Sequence, residues 1–137
     1  MRCVELSWQE VHQACLRLCA KIAATRKINL LIPVLRGGLI PATIISHELK
    51  IPIGPSIAIS EAPRLSERSD IAVIDEVCDT GHTFTVLRRV FPMALFAVPY
   101  AKAEGANHCD LIVEVHAQDV WLTFPWSPNQ TPGARGM

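Results

Sequence analysis

Between residues 7 and 22, apolar side chains recur every three or four positions: Trp8, Val11, Cys15, Leu18 and Ile22. That spacing lines one face of a helix and predicts that the face is buried. Ser7 stands ahead of the helix as its N-cap, and Glu10 three residues on completes a capping box. Leu6 and Val11 are placed to form a hydrophobic staple. After the basic stretch TRKIN the pattern becomes continuous in LLIPVL. An unbroken apolar run is what a parallel strand covered on both faces requires. Pro33 falls inside the run and is predicted near the strand end, because it cannot donate to a ladder. RGGLIPATIISHELK turns from glycines into a second helix, with Pro41 tolerated in the first turn and Pro52 beyond its end. SIAIS reads as a short strand, residues 61–70 as a polar loop and IAVID as the next buried strand. Residues 83–90 read as a helix stopped before Pro92, and ALFAV and LIVEV as two more strands. Strands alternating with helices predict an α/β fold with a mostly parallel sheet flanked by helices. Residues 1–127 are assigned to a single domain. Residues 128–137, rich in Pro, Gly and polar side chains, are assigned to a flexible tail.

Composition narrows the reading. The chain has 137 residues, half of them hydrophobic and 19% charged, enough for one well-buried core. Thirteen basic and thirteen acidic residues give a formal net charge of zero, which argues against nucleic-acid partners that depend on excess Lys and Arg. No apolar run reaches the ~18 residues of a membrane span. Charges within MRCVELSWQE interrupt the apolar stretch a signal peptide needs, so a cytoplasmic protein is expected. The five cysteines form no C-x-x-C and the five histidines no H-E-x-x-H. The cysteines are therefore read as small core residues, and no structural metal is expected.

The chemistry concentrates in IAVIDEVCDTGHT, residues 71–83. A buried strand ends there in Asp75 and Glu76, then Asp79, Thr80, Gly81, His82 and Thr83 lead into a helix. In parallel sheets, ligands bind beyond the carboxyl ends of the strands. The backbone N–H groups of such a turn, with the helix dipole, form an anion cradle. Gly81 permits close backbone approach, and Thr80 and Thr83 add hydroxyl donors. Three carboxylates would repel a bare phosphate. A ribose phosphate resolves the conflict, because its hydroxyls donate to carboxylates while its 5′-phosphate occupies the cradle. Neither G-x-x-x-x-G-K-[ST] nor G-x-G-x-x-G occurs.

VIDEVCDTGHT resembles the phosphoribosyl-pyrophosphate (PRPP) signature of the type I phosphoribosyltransferases. VLRGGLIPATIISHEL, YAKAEG and DVWLTFPW follow the order and spacing of the bacterial xanthine-guanine members, and the opening helix is similar too. The resemblance spans about residues 5–127. It implies a type I phosphoribosyltransferase-like fold, with a hood loop shortened to residues 61–70. It also implies transfer of the 5-phosphoribosyl group from PRPP to a 6-oxopurine (guanine, xanthine or hypoxanthine). The products would be pyrophosphate and a nucleoside 5′-monophosphate. Asp75 and Glu76 would bind the ribose hydroxyls, and Asp79 would handle the base proton. The 5′-phosphate would lie on Asp79, Thr80, Gly81, His82 and Thr83. Leu35, Arg36 and Gly37 would form the pyrophosphate loop, often with a non-proline cis peptide. Lys102, Trp121 and Leu122 would bind the base. Mg²⁺ is implied as cofactor, carried by PRPP with Asp75 as a candidate protein ligand, and so is a homodimer or homotetramer. His108 and His116 are read as surface residues and Trp126 as packing. Arg64 and Arg68 offer positive charge to a pyrophosphate. The short loop at residues 61–70 is itself a departure from the family pattern, whose hood is usually long, and two more stand out. Glu76 occupies the place of a more usual aspartate, and Thr123 and Ser127 stand where acids usually follow the tryptophan.

Two other readings fit the same pattern. One is a catalytically weak or inactive nucleotide- or PRPP-binding regulatory module. The other is a subunit that uses the fold for assembly. Nucleotide binding without turnover would mark the first, and an empty cradle the second.

Overall fold

A computed structural model describes residues 2–54 and 65–127. Its first strand, β1 (Arg2–Glu5), leads into helix α1 (Trp8–Thr25). The capping box forms as the sequence predicts. The Glu10 N–H donates to Ser7 Oγ and the Ser7 N–H to Glu10 Oε1, both at 3.0 Å, and Leu6 and Val11 share one apolar cluster. One face of α1 buries Val11, Ala14, Cys15, Leu18, Cys19 and Ile22. Burial pushes the Cys15 and Cys19 thiols up to about 12 and about 11, as befits core residues. Trp8 departs from the expectation and is 57% exposed. As the first helical residue it projects ahead of the packed face and meets the Trp126 ring instead, 5.7 Å away.

Strands β2 (Leu30–Pro33), β3 (Ile71–Ile74), β4 (Val77–Cys78), β5 (Leu95–Lys102) and β6 (Leu111–His116) build one parallel sheet. β2 lies beside β3, β5 pairs with both β3 and β4, and β6 adds on the far side of β5. Pro33 closes β2, where its missing donor does least harm. Helices α1 and α2 (Leu39–Leu49) cover one face through Leu18, Ile22 and Ile45 against Leu31, Ile74 and Leu95. Helix α3 (His82–Val90) supplies Phe84 to the other face, with Phe91 just beyond its end, against Val73 and Phe96. Cover on both faces explains why every residue of β3 is apolar and fully buried.

β4 keeps step with β3 against β5. Ile74 lies opposite Ala97, and after two residues that belong to neither strand Val77 lies opposite Tyr100 and Cys78 opposite Ala101. The two skipped residues are Asp75 and Glu76. Across from Glu76 falls Pro99, which has no N–H to offer the ladder. β5 therefore runs past the expected end of ALFAV, because its proline stands where the neighbouring strand makes no demand on it.

A second, two-stranded parallel sheet joins β1 to β7 (Val120–Thr123), with Cys3 opposite Trp121 and Val4 opposite Leu122. It closes the third apolar cluster over Tyr100 and Phe124. Beyond α2, the Gly54 N–H donates to Leu31 O at 2.8 Å and Ile53 bridges Leu31, so the chain starts along the outer edge of β2. The predicted SIAIS strand, residues 61–64 of the predicted loop and the predicted tail lie outside the described residues. Among the described residues, no helix is long and apolar enough to cross a membrane.

At the amino ends of β2 and β3, Arg68 grips Asp70 through two bonds of 2.8 and 2.9 Å, and Asn29 adds a third of 3.1 Å. Arg68 thus sits at the end of β3 opposite Asp75 and Glu76 and is engaged there, away from any pyrophosphate on those acids; Arg64 lies outside the described residues. The hydrogen bonds from Arg68 and Asn29 lower the Asp70 pKa from 3.8 to about 2. A depressed carboxylate stabilises the fold above its unfolded pKa, and that stability is lost as pH falls from about 3.8 to about 2. Because the pair is about one-third exposed, Asp70→Asn should cost about 1 kcal/mol or less at pH 7. The gap between variant and parent should close by pH 2, as read by urea unfolding at both pH values. A constant gap would assign the cost to something other than this ionisation.

Candidate active site

The carboxyl ends of β2, β3 and β4 and the amino ends of α2 and α3 surround one cleft of about 870 Å³, a size suited to a nucleotide-scale ligand. Residues 34–37 form one wall, residues 75–84 the floor and opposite wall, and Trp126 and Ser127 the rim. The Val34 N–H donates to Ile74 O at 2.8 Å, which fixes the first wall to the end of β3. The Leu35–Arg36 peptide on that wall is cis.

The acids are held, not adrift. Asp75 Oδ1 accepts from the Glu76 N–H at 2.8 Å, and this turns the chain out of the sheet between β3 and β4. Glu76 Oε2 accepts from Trp126 Nε1 at 3.2 Å. The Trp126 ring is itself fixed, stacked on Phe124 at 4.7 Å. Reading Trp126 as packing alone was therefore incomplete, since its ring packs while its N–H anchors an acid fifty residues away. Ser127, one of the two residues standing where the family pattern leads one to expect acids, lies at that rim, and Thr123 ends β7.

Gly81 caps α3 in the left-handed region, at φ 91°, and no side chain caps the helix. The first turn of α3 thus meets the cleft with main-chain atoms, and Gly81, His82 and Thr83 all line it. The His82 N–H lies 3.3 Å from Thr80 Oγ1, and Thr85 Oγ1 donates to Gly81 O at 2.8 Å. A Cβ at position 81 would strike the His108 ring. His108 is accordingly no surface residue. Its Nδ1 lies 3.3 Å from Thr85 Oγ1, and its carbonyl accepts from Arg88 at 2.9 Å. Nothing local in the sequence marks this, because His108 reaches the turn from a 3-10 segment, Gly105–His108, beyond β5.

Asp79 lies where the cleft meets a second group of residues. Its Oδ2 is 3.8 Å from Lys102 Nζ, and Lys102 is only 7% exposed, with its ammonium 5.7 Å from the centre of the Trp121 ring. A buried ammonium is costly without an opposite charge beside it, and Asp79 provides one. On its other side Gln118 Nε2 donates to Asp79 Oδ1 at 2.7 Å. Gln118 escaped the sequence reading, since its partner is 39 residues away. Lys102 and Trp121 thus sit behind Asp79 and do not line the cleft itself. Leu122 is buried in β7 against the cluster of Leu6, Tyr100 and Phe124.

Asp75, Glu76 and Asp79 offer hard oxygen donors of the kind Mg²⁺ accepts. Yet among the described residues no three His, Cys, Asp or Glu side chains converge to hold an ion. Such a set fits a magnesium ion that arrives with phosphate oxygens and takes one or two carboxylates from the protein.

No family model matches the chain. Among proteins of known function, it is 35% identical over 136 residues to a xanthine-guanine phosphoribosyltransferase of Idiomarina loihiensis, covering 88% of this chain and 84% of that one. It is 30% identical over 138 residues to the protein of that name from Desulfotalea psychrophila, covering 91% and 86%. Among solved structures, a purine phosphoribosyltransferase from Pyrococcus horikoshii superimposes with a TM-score of 0.77 at 26% identity, over 96% of this chain and 97% of that one.

Proposed function

Because this chain belongs to the phosphoribosyltransferase family that includes the xanthine-guanine enzymes, we propose that it transfers the 5-phosphoribosyl group of PRPP to a ring nitrogen of a 6-oxopurine. The observation that carries this reading is the placement of Asp79. It ends the floor of a cleft that has paired acids on one side and a helix amino terminus on the other, and it touches a buried lysine.

In this reading Asp75 and Glu76 accept hydrogen bonds from the ribose hydroxyls. The main chain of residues 80–83 and the α3 dipole hold the 5′-phosphate. Residues 35–37, with the Arg36 guanidinium, face the pyrophosphate. The bond from the sugar carbon to the pyrophosphate oxygen breaks, the purine nitrogen bonds to that carbon, and the nitrogen's proton passes to Asp79. The base reaches past Asp79, beyond the cleft lining, so that Lys102 donates to the 6-oxo group and Trp121 backs the ring. As the leaving group departs the sugar turns cation-like, and fixed charges on both sides of that carbon lower the barrier. When bound, Mg²⁺ supplies charge neutralisation at the diphosphate, with Asp75 and Glu76 as the side chains that would hold it. A cytoplasmic location and a homodimer or homotetramer belong to the same proposal, and the assembly is supported by an apolar surface hollow lined by Trp8, Ile40 and Ile44.

The test is pyrophosphate release from PRPP and Mg²⁺ with guanine, xanthine and hypoxanthine in turn. Turnover with at least one base is expected. Tight GMP binding with no turnover on any of the three would overturn the reading in favour of a binding module.

A further inference from the structure

We propose that Gln118 is a positioning residue for the proton transfer, orienting the Asp79 carboxylate so that Oδ2, the oxygen beside Lys102, receives the base proton. The inference rests on the reading of Asp79 as proton acceptor and deepens it.

Gln118 sits half-buried in the turn between β6 and β7, away from the cleft lining. Its amide nitrogen donates to Asp79 Oδ1 at 2.7 Å and approaches the Asp79 carbonyl at 3.4 Å. Its amide oxygen accepts from the Glu104 N–H at 2.9 Å. The orientation of the amide is chemically fixed. A flipped amide would set its oxygen against a carboxylate and its NH₂ against an N–H. Both ends are thus engaged, and neither N–H of Gln118 is left to donate to the base.

Asp79 Oδ1 is therefore occupied by a short bond. Oδ2 faces Lys102 at 3.8 Å, which is longer than a hydrogen bond. A donor entering from the cleft meets Oδ2 as the available oxygen, with a cation next to it. An aspartate χ2 turns over a broad range when nothing restrains it. The Gln118 bond removes that freedom before substrate arrives. The Glu104 bond also joins Gln118 to the segment that follows Lys102, so proton acceptor and base-reading lysine share one frame. In catalysis of this kind, a misplacement of ~1 Å costs on the order of 10²-fold.

Gln118→Ala should lower kcat about 10- to 100-fold while the KM for PRPP stays within about twofold. Gln118→Glu sets a second carboxylate against Asp79. Like charges raise a carboxyl pKa, so the acidic limb of the kcat–pH profile should move up by about one pH unit. A glutamine that braced the turn without touching Asp79 would not shift that limb, and one that touched Asp79 without orienting it would shift the limb but leave kcat unchanged in Gln118→Ala. Each variant is compared in both parent and Asp79→Asn backgrounds. Because Gln118 acts through Asp79, Gln118→Ala should cost almost nothing further once Asp79→Asn is present. If Asp79→Asn leaves kcat intact, the proton-acceptor reading falls and this inference falls with it. If Asp79→Asn removes turnover while Gln118→Ala keeps the parental kcat, or Gln118→Glu keeps the parental acidic limb, the positioning role alone is refuted. Should the alanine variant fail to fold, the near-isosteric glutamate variant decides the matter through its pH profile.

Discussion

Asp79→Asn should lower kcat about 10²- to 10⁴-fold, the usual contribution of a positioned proton acceptor, with the KM for PRPP moving less than about threefold. Asparagine keeps the shape and can still accept from Gln118 through its amide oxygen. It cannot take a proton, and it turns an NH₂ toward Lys102 where a carboxylate oxygen now lies 3.8 Å away. The buried lysine thereby loses its counter-charge, so thermal unfolding of the variant belongs beside the kinetics. A folded variant with slow chemistry and near-normal PRPP saturation is the expected result. Equal losses in kcat and in PRPP affinity would instead make Asp79 part of the phosphate cradle, with no role in handling the base.

Gly105→Ala should damage stability and turnover together. Gly105 opens the 3-10 segment after β5 and lies against the backbone that joins β4 to the cradle. A Cβ there would overlap Cys78 O, with the Cys78 carbonyl carbon at 2.6 Å and Asp79 O at 2.8 Å. These are main-chain atoms in a strand end, and they cannot rotate aside as a flexible side chain would. The Cys78 thiol, which donates to Gly105 O at 3.4 Å, would be displaced as well. Overpacking of this kind costs about 3 kcal/mol, or a fall of about 10 °C in Tm for a domain of this size. The relief has to come from moving Cys78 and Asp79, so kcat should fall at temperatures where the variant is still folded. An unchanged Tm would mean that the 3-10 segment swings away freely, and the packing described here would be wrong.

The sheet and the cradle could be read from the residues because each is written locally. IAVID announces a strand covered on both faces, S-W-Q-E a capped helix start, and D-T-G-H-T a turn into a helix. The loop at residues 35–37 and the acids at 75, 76 and 79 gather at one cleft because strand carboxyl ends in a parallel sheet share one edge. What the sequence concealed is of another kind. β1 and β7 pair across almost the whole chain, and neither short segment alternates strongly enough to announce itself. Trp126 and Gln118 look unremarkable in their own neighbourhoods, because their meaning lies in Glu76 and Asp79, far off along the chain. His108 looked like a surface residue until the turn at Gly81 was seen to rest on it. Trp8 fitted the helical stripe, but a stripe does not say where the covering sheet stops.

The two-residue skip between β3 and β4, with Pro99 across from it, bears on how this catalyst can be altered. Ile74 and Val77 are both tied to β5 at fixed partners, so the bridge between them has a set length, whatever occupies it. Exchanging Asp75 or Glu76 for other side chains leaves that stitching intact. Inserting or deleting one residue there would put Val77 and Cys78 out of step and exchange the two apolar clusters that their side chains fill. A substitution at either place therefore tests the chemistry of the acid alone, whereas a change in length would damage the frame that presents it.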